Sequence, residues 1–267
     1  MTMPKTNYHT HTTWCDGSMT PEEAVEAALS AGFGELGFSS HTMLPGRMLE
    51  WTLDAERGAA YAAQIRSLAA KHSGRIRILC GVEADWIPGS ATPDRKTYAA
   101  MAPDYIIGSV HFAAAPDGAP VPVDESPQSL ADGIERHFGG DAKEFVKAYF
   151  AQLRDMLLRF DFDIAGHLDL PRKFNAKHPY FDETAAWYRE ELEKTADAVA
   201  QSGKIVEVNT GGIARGWIDD AYPSPEFRRM LRGRGARFVL SSDAHCADAL
   251  DFAFDRFQDA ENYTRLP

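Results

Sequence analysis

Seven short apolar runs punctuate this chain, and each closes on a polar side chain able to bind a metal, form a hydrogen bond or move a proton. The runs cover residues 6–9, 35–40, 76–83, 105–110, 162–167, 205–209 and 238–242. At or just beyond their ends stand His9, His41, Glu83, His111, His167, Asn209 and, in "SSDAH", Asp243 with His245. Longer amphipathic stretches separate the runs, and strands alternating with helices in this way indicate an α/β architecture with a parallel sheet. In a parallel barrel the carboxyl ends of all strands gather at one rim, where active sites are built. The expected fold is an α/β barrel of seven strands, with residues 1–267 forming one domain.

The helices announce themselves by their ends. In "TPEEAVEAALSAG" Thr20 is the N-cap, Pro21 the first helical residue, Glu23 the returning member of a capping box and Gly32 the stop. "SPEFRRMLRGRG" repeats that punctuation with Ser224 and Pro225; its arginines belong to a helix that would face the opposite rim, as solvated surface. Stretches 53–72, 142–160 and 183–202 read as longer helices. Segments 87–103 and 113–127 are rich in Pro, Gly and Asp and read as long strand-to-helix loops.

With 44% hydrophobic and 25% charged residues, the chain can bury a large core. Its formal net charge of -11 opposes nonspecific association with nucleic acid or an anionic membrane. A small anionic substrate remains compatible wherever cations are local. Cys15, Cys80 and Cys246 are odd in number and far apart, which suits a reducing compartment better than a disulfide framework. The opening "MTMPKTNYHTH" carries no cleavable-signal pattern, and no apolar run approaches membrane-spanning length. The expectation is a cytoplasmic protein with no nucleic-acid or membrane partner; the oligomeric state is left open.

A single histidine after a strand is ordinarily a hydrogen-bonded loop residue. Six of the nine histidines fall at strand ends, which makes chance placement the weaker explanation. His9 and His11 are two residues apart, so in an extended segment their rings share a face, about 6–7 Å apart along the strand. Glu83 ends a strongly apolar run, where a carboxylate is costly to bury without a partner. The candidate metal ligands are His9, His11, Asp16, His41, Glu83, His111, His167, Asp243 and His245. That is too many for one four- to six-coordinate ion, so the set implies two to three divalent ions with Glu83 as a bridge. Mixed imidazole and carboxylate donors suit Zn, Mn, Fe or Ni. Asp85 and Asp104 read as strand-end caps outside the site, and His72, His137 and His178 as structural or solvated residues.

These residues resemble the PHP (polymerase and histidinol phosphatase) family. The likeness rests on "HTHTTWCDG", "SSH", "GVEADW", "GSVHF", "AGHLDL" and "SSDAH", in the family's order from residue 9 to residue 245. Within the family, "GVEADWIPG", "DYIIGSVHF", "HLDLPRKF" and "VNTGGIARG" resemble the stand-alone histidinol-phosphatases. The resemblance implies a distorted seven-stranded (β/α)7 barrel with a trinuclear metal site. Carried over by motif, one ion would take His9, His11, Glu83 and Asp243, a second Glu83, His111 and His167, and a third Asp16, His41 and His245.

The implied chemistry is hydrolysis of a small phosphate monoester, L-histidinol phosphate in histidine biosynthesis, by a metal-bridged hydroxide. Asp243 or His245 would shuttle protons. Arg172 and Arg215, just beyond strand ends, are candidate phosphate clamps because guanidinium matches the oxyanion bidentately, with Lys173 a further candidate. Competing readings are the same chemistry on a nucleotide, sugar phosphate or phosphotyrosine, a metal-binding module without turnover, and an amidohydrolase on a related barrel.

Overall fold

The computed structural model describes residues 5–42, 52–53, 55–258, 261 and 263–267. Its strands are β1 (Lys5–Asn7), β2 (Phe33–His41), β3 (Arg77–Asp85), β4 (Tyr105–Ser109), β5 (Phe112–Ala114), β6 (Pro120–Pro122), β7 (Ile164–Ala165), β8 (Ile205–Asn209) and β9 (Arg237–Ser241). Its helices are α1 (Pro21–Ser30), α2 (Ala55–Lys71), α3 (Pro127–Phe138), α4 (Ala142–Arg159), α5 (Ala186–Ser202), α6 (Gly211–Ala214), α7 (Pro225–Gly233) and α8 (Phe254–Phe257). Position 54, inside the stretch predicted to be helical, lies outside the described residues.

Seven strands form one sheet in the order β1-β2-β3-β4-β7-β8-β9, every neighbour parallel. The sheet curls until β1 and β9 meet, and side chains complete the seam. The Asn7 amide donates to Ser242 Oγ at 2.6 Å, while its carbonyl accepts from the Ser242 N–H at 3.2 Å. Just beyond, Thr10 and Ala244 form a parallel bridge, with His11 N donating to Ala244 O at 2.8 Å. The result is the expected seven-stranded α/β barrel.

Period-two alternation sorts each strand into two faces. On β3, Ile78, Cys80, Val82 and Ala84 join the outer core shared with the helices, whereas Leu79 belongs to a separate cluster with Tyr105, Ile107, Ile164, Ile205 and Val239. This second cluster fills the barrel. Tyr105 crosses it, its hydroxyl donating to Tyr8 O at 2.5 Å and Phe38 O at 3.0 Å. A Cβ on Gly81 would lie 2.3 Å from that ring, so the strand needs glycine there. Leu266 closes the far end of the cluster, where the buried Glu35 is paired by Arg77 and Arg265.

The capping box of α1 forms as read: Thr20 Oγ1 accepts from Glu23 N at 3.2 Å and Glu23 returns to Thr20 N at 2.7 Å. Segment 113–127 departs from its expectation as a plain loop. β5 and β6 pair as a hairpin around Asp117 and Gly118, the glycine at φ +84°. Prolines argue against strands, but Pro120 and Pro122 stand at the two ends of a three-residue strand with a single partner, where little hydrogen bonding is forfeited. Segment 87–103 holds an Ile87–Ala91 bridge and a short 3₁₀ turn, Arg95–Tyr98.

Candidate metal centre

The inward face of the barrel turns polar at its carboxyl end. Along β3 the inward residues run Leu79, Gly81, Glu83, Asp85, and along β8 they run Ile205, Glu207, Asn209. Register sets His41 beside Glu83 across the β2–β3 pair. His111 and His167 each follow their strand by two residues, and His9 and His11 follow β1. Asp243 sits two residues past β9 at φ +51°, a left-handed conformation that aspartate tolerates better than most residues. Both hydrogen bonds of the seam beyond it are made by Ala244.

Glu83 is the hub, buried to 1% exposure. Its Oε2 lies 3.1 Å from His9 Nε2, 3.4 Å from His11 Nε2 and 3.1 Å from His41 Nδ1. Its Oε1 lies 3.0 Å from His167 Nε2 and 3.4 Å from His111 Nε2, and accepts from the Ser109 hydroxyl at 2.7 Å. Asp243 Oδ1 approaches His11 Nε2 at 3.3 Å and His9 Nε2 at 3.7 Å. Nearer solvent, Asp16 Oδ2 is 3.1 Å from His245 Nε2 and 3.8 Å from His41 Nε2. The nine residues singled out by sequence therefore converge.

Three groups of these residues offer ligand atoms within 4.8 Å of one another: His9, His11 and Glu83; His41, Glu83 and His111; and His11, Asp16, His41 and His245. The first and third overlap the groupings implied by motif. In the middle one His41 joins Glu83 and His111, with His167 contacting Glu83 alongside. The buried Nε2 atoms of His9 and His11 have no hydrogen-bond partner although Glu83 oxygens stand close by. Imidazole lone pairs facing a carboxylate are reconciled by a cation between them, and this donor set fits divalent metal ions.

Electrostatics point the same way. Burial opposes the charge on Glu83, but His9, His111 and His41 outweigh it and hold the carboxyl well below its usual range. Burial likewise works against ionised Asp243, yet Arg215 and His9 keep it well below the ordinary carboxyl value. His11 is pushed down to about 3 by burial and by neighbouring His245 and His41, so its ring is neutral. Burial works against charge on His9 and His111 as well, yet Glu207 and Glu83 raise the first, and Asp85 and Glu83 the second, well above the ordinary imidazole value. The cluster's carboxylates thus call for positive charge at its centre, which a divalent ion supplies while leaving its histidine ligands neutral.

The centre opens into a cavity of about 620 Å³, lined by Asp16, His41, Glu83, His111, Asp243 and His245 together with Phe112, Pro122, Asp124, Glu125, Lys173 and Arg215. Arg215 follows α6 and reaches back over the rim, its Nη2 2.8 Å from His245 Nδ1 and its Nη1 3.2 Å from Asp243 Oδ2. A Cβ on Gly211 would meet Arg215 Nη1 at 2.5 Å, so the glycine clears that path. Lys173 lines the wall, bonded to Asp124. Arg172 does not line the cavity: its Nε donates to Glu183 at 2.8 Å and its Nη1 reaches the buried Asp169 at 3.4 Å.

Residues 7–211 match the PHP domain. The chain belongs to the PHP family. A Deinococcus radiodurans relative named "Probable histidinol-phosphatase" is 34% identical over 249 residues, covering 92% of this chain and 88% of the relative. The "Histidinol-phosphatase" of Bacillus subtilis is 24% identical over 268 residues, covering 96% and 98%. Among solved structures, HisK from Listeria monocytogenes shares the fold with a TM-score of 0.84 at 20% identity, over 95% of this chain and 100% of that one. Histidinol phosphate phosphatase from Lactococcus lactis, solved with Zn, L-histidinol and phosphate, aligns with a TM-score of 0.64 at 21% identity, over 91% and 87%.

Two carboxylates of this PHP site escaped the sequence reading. Asp85, taken for a cap, accepts from the His111 N–H at 2.9 Å and lies 3.0 Å from His111 Nδ1. Glu207, fully buried inside "IVEVN", lies 2.8 Å from His9 Nδ1. For Glu207 the available signal was an acidic residue on the inward face of a strand, two positions before its polar end; for Asp85 it was the same face continued two positions past Glu83. Asp104 does act as a cap, accepting from Cys80 N at 2.7 Å. Cys15 Sγ is 3.4 Å from His11 Nδ1, while Cys80 is buried and Cys246 exposed. Among the described residues no helix is long and apolar enough to cross a membrane.

Proposed function

We propose that this PHP protein is a metal-dependent phosphomonoesterase that hydrolyses L-histidinol phosphate, placing it in histidine biosynthesis. One observation carries the reading: a single cavity is lined both by converging histidine and carboxylate donors and by two cations, Arg215 and Lys173. A phosphate monoester dianion needs both. The relatives named histidinol-phosphatase supply the substrate, the first over nearly the whole of both chains.

His9, His11, Asp16, His41, Glu83, His111, His167, Asp243 and His245 would hold two or three divalent ions. When bound, such ions neutralise the phosphoryl oxygens and make water a strong nucleophile at neutral pH. The protein's own groups do the rest. Arg215 presents two nitrogens toward the rim, and a dianion in the cavity competes with Asp243 for them. Lys173, also in the lining, adds a point charge. Asp243 or His245 would take up and return protons as the ester bond breaks. Phe112 and Pro122 give the cavity an apolar wall against which an imidazole ring can pack.

The test compares kcat/KM for L-histidinol phosphate with that for nucleotide, sugar phosphate and phosphotyrosine substrates on metal-reconstituted protein. L-histidinol phosphate should lead by at least tenfold, a chelator should abolish turnover, and metal analysis should return two to three ions per chain. A preference for another monoester would replace the substrate, and one ion or none would remove the multinuclear mechanism.

A further inference from the structure

Glu207 is buried on β8, and each of its oxygens has a defined task. Oε2 lies 2.8 Å from His9 Nδ1, whereas Oε1 accepts from the His167 N–H at 2.7 Å and from the Asn209 side-chain amide at 2.8 Å. One side chain thereby ties together ligands that follow β1 and β7. We propose that Glu207 is a positioning residue that sets the tautomer of His9, holding its proton on Nδ1 so that Nε2 presents a lone pair toward Glu83 and the metal centre. The inference rests on the metal-dependent reading above.

As a metal ligand His9 must be neutral, with one N–H and one lone pair, and an ionised carboxylate only accepts. Nδ1 beside Glu207 must therefore carry the hydrogen, which leaves Nε2 as the acceptor, 3.1 Å from Glu83 Oε2. Histidine ligands commonly donate their other N–H to such a partner, which fixes the ring and raises its basicity.

The same geometry predicts what the isosteric amide does. In Glu207→Gln, the side facing His167 N–H and Asn209 meets two donors and must be the carbonyl. Asn209 cannot turn to help, because its own Oδ1 accepts from Gly211 N at 2.8 Å. The glutamine NH2 is thus forced onto His9 Nδ1, which becomes the acceptor, and the imidazole proton moves to Nε2. The atom that should face a metal is then capped by hydrogen.

The experiment uses the full chain and Zn²⁺ as the probe. Affinity is measured by competition with a chromogenic chelator, and bound ions are counted by elemental analysis. Glu207→Gln should lose about 10- to 100-fold in affinity for its tightest ion. The metal-free variant should still unfold in one cooperative urea transition, so that the lost affinity is not a lost fold, and ring ¹⁵N spectra of that folded variant should show the His9 proton displaced from Nδ1, which a merely structural role would not produce. Ring ¹⁵N spectra of Zn-loaded wild type should place the His9 proton on Nδ1. Unchanged Zn²⁺ affinity in Glu207→Gln, or a wild-type His9 proton on Nε2, overturns the proposal. A wild type that binds no Zn²⁺ fails the metal-dependent reading itself, which the other two outcomes leave standing.

Discussion

Lys173 donates to the Asp124 carboxylate at 2.9 Å and to the Asp124 carbonyl at 2.8 Å, joining two loop segments across the cavity wall. The pair links the turn after His167 to the segment that leaves the β5–β6 hairpin.

This pair makes stability depend on acid. Burial works against an ionised Asp124, but Lys173 and His111 outweigh it and lower its carboxyl from 3.8 to about 2. The folded state therefore binds that proton more weakly than the unfolded chain. The stabilisation is fully present above pH 3.8 and disappears as pH falls through about 2. Its size is on the order of 1–2 kcal/mol. Urea unfolding of chelator-treated protein at pH 7 and pH 2.5 should show this loss, and Asp124→Asn should show a correspondingly smaller pH dependence. An identical dependence in both proteins would remove the pair from the acid response.

Arg215 and Arg172 should separate cleanly. Arg215→Ala removes the guanidinium at the cavity and should raise KM for the phosphoester about 10- to 100-fold, the worth of charge-assisted hydrogen bonds of roughly 1.5–3 kcal/mol. Arg172→Ala leaves Asp169 buried beside an empty space and should cost about 3 kcal/mol of stability while KM moves less than threefold. Steady-state kinetics and urea titration of both variants read the difference. A large KM rise in Arg172→Ala would restore it to the phosphate site.

Gly81→Ala tests the barrel interior. The added methyl would collide with the Tyr105 ring, so overpacking should destabilise the protein by about 1–3 kcal/mol. Combining it with Tyr105→Leu should relieve part of that strain, giving a double mutant more stable than the sum of the single effects. Additive losses would place the methyl somewhere other than against that ring.

Much of the site was legible because strand chemistry is local. Residues such as Glu83 and His111 stand at the ends of apolar runs, and parallel strands deliver such ends to one rim. Lys173 against Arg172 shows where this reasoning stops. The two are adjacent, and in a tight 3₁₀ turn neighbouring side chains point about 120° apart, so a one-residue difference decides which lines the cavity. The β5–β6 hairpin shows another limit, since proline's penalty depends on whether its position needs an N–H donor.

By itself, then, the amino-acid sequence determined the seven-strand α/β rhythm, the helix caps and the nine candidate ligands, because each follows from short-range periodicity and residue chemistry. Only the tertiary structure decided that His9 answers to Glu207, that His111 answers to Asp85, and that His41 stands with Glu83 and His111. Alternation along β8 places Glu207 on the inward face, but its partner lies 198 residues earlier in the chain. β1 is the first strand of the sheet and β8 the sixth; only closure of the sheet at the β1–β9 seam brings them within two strands of each other, and no local signal carries that distance.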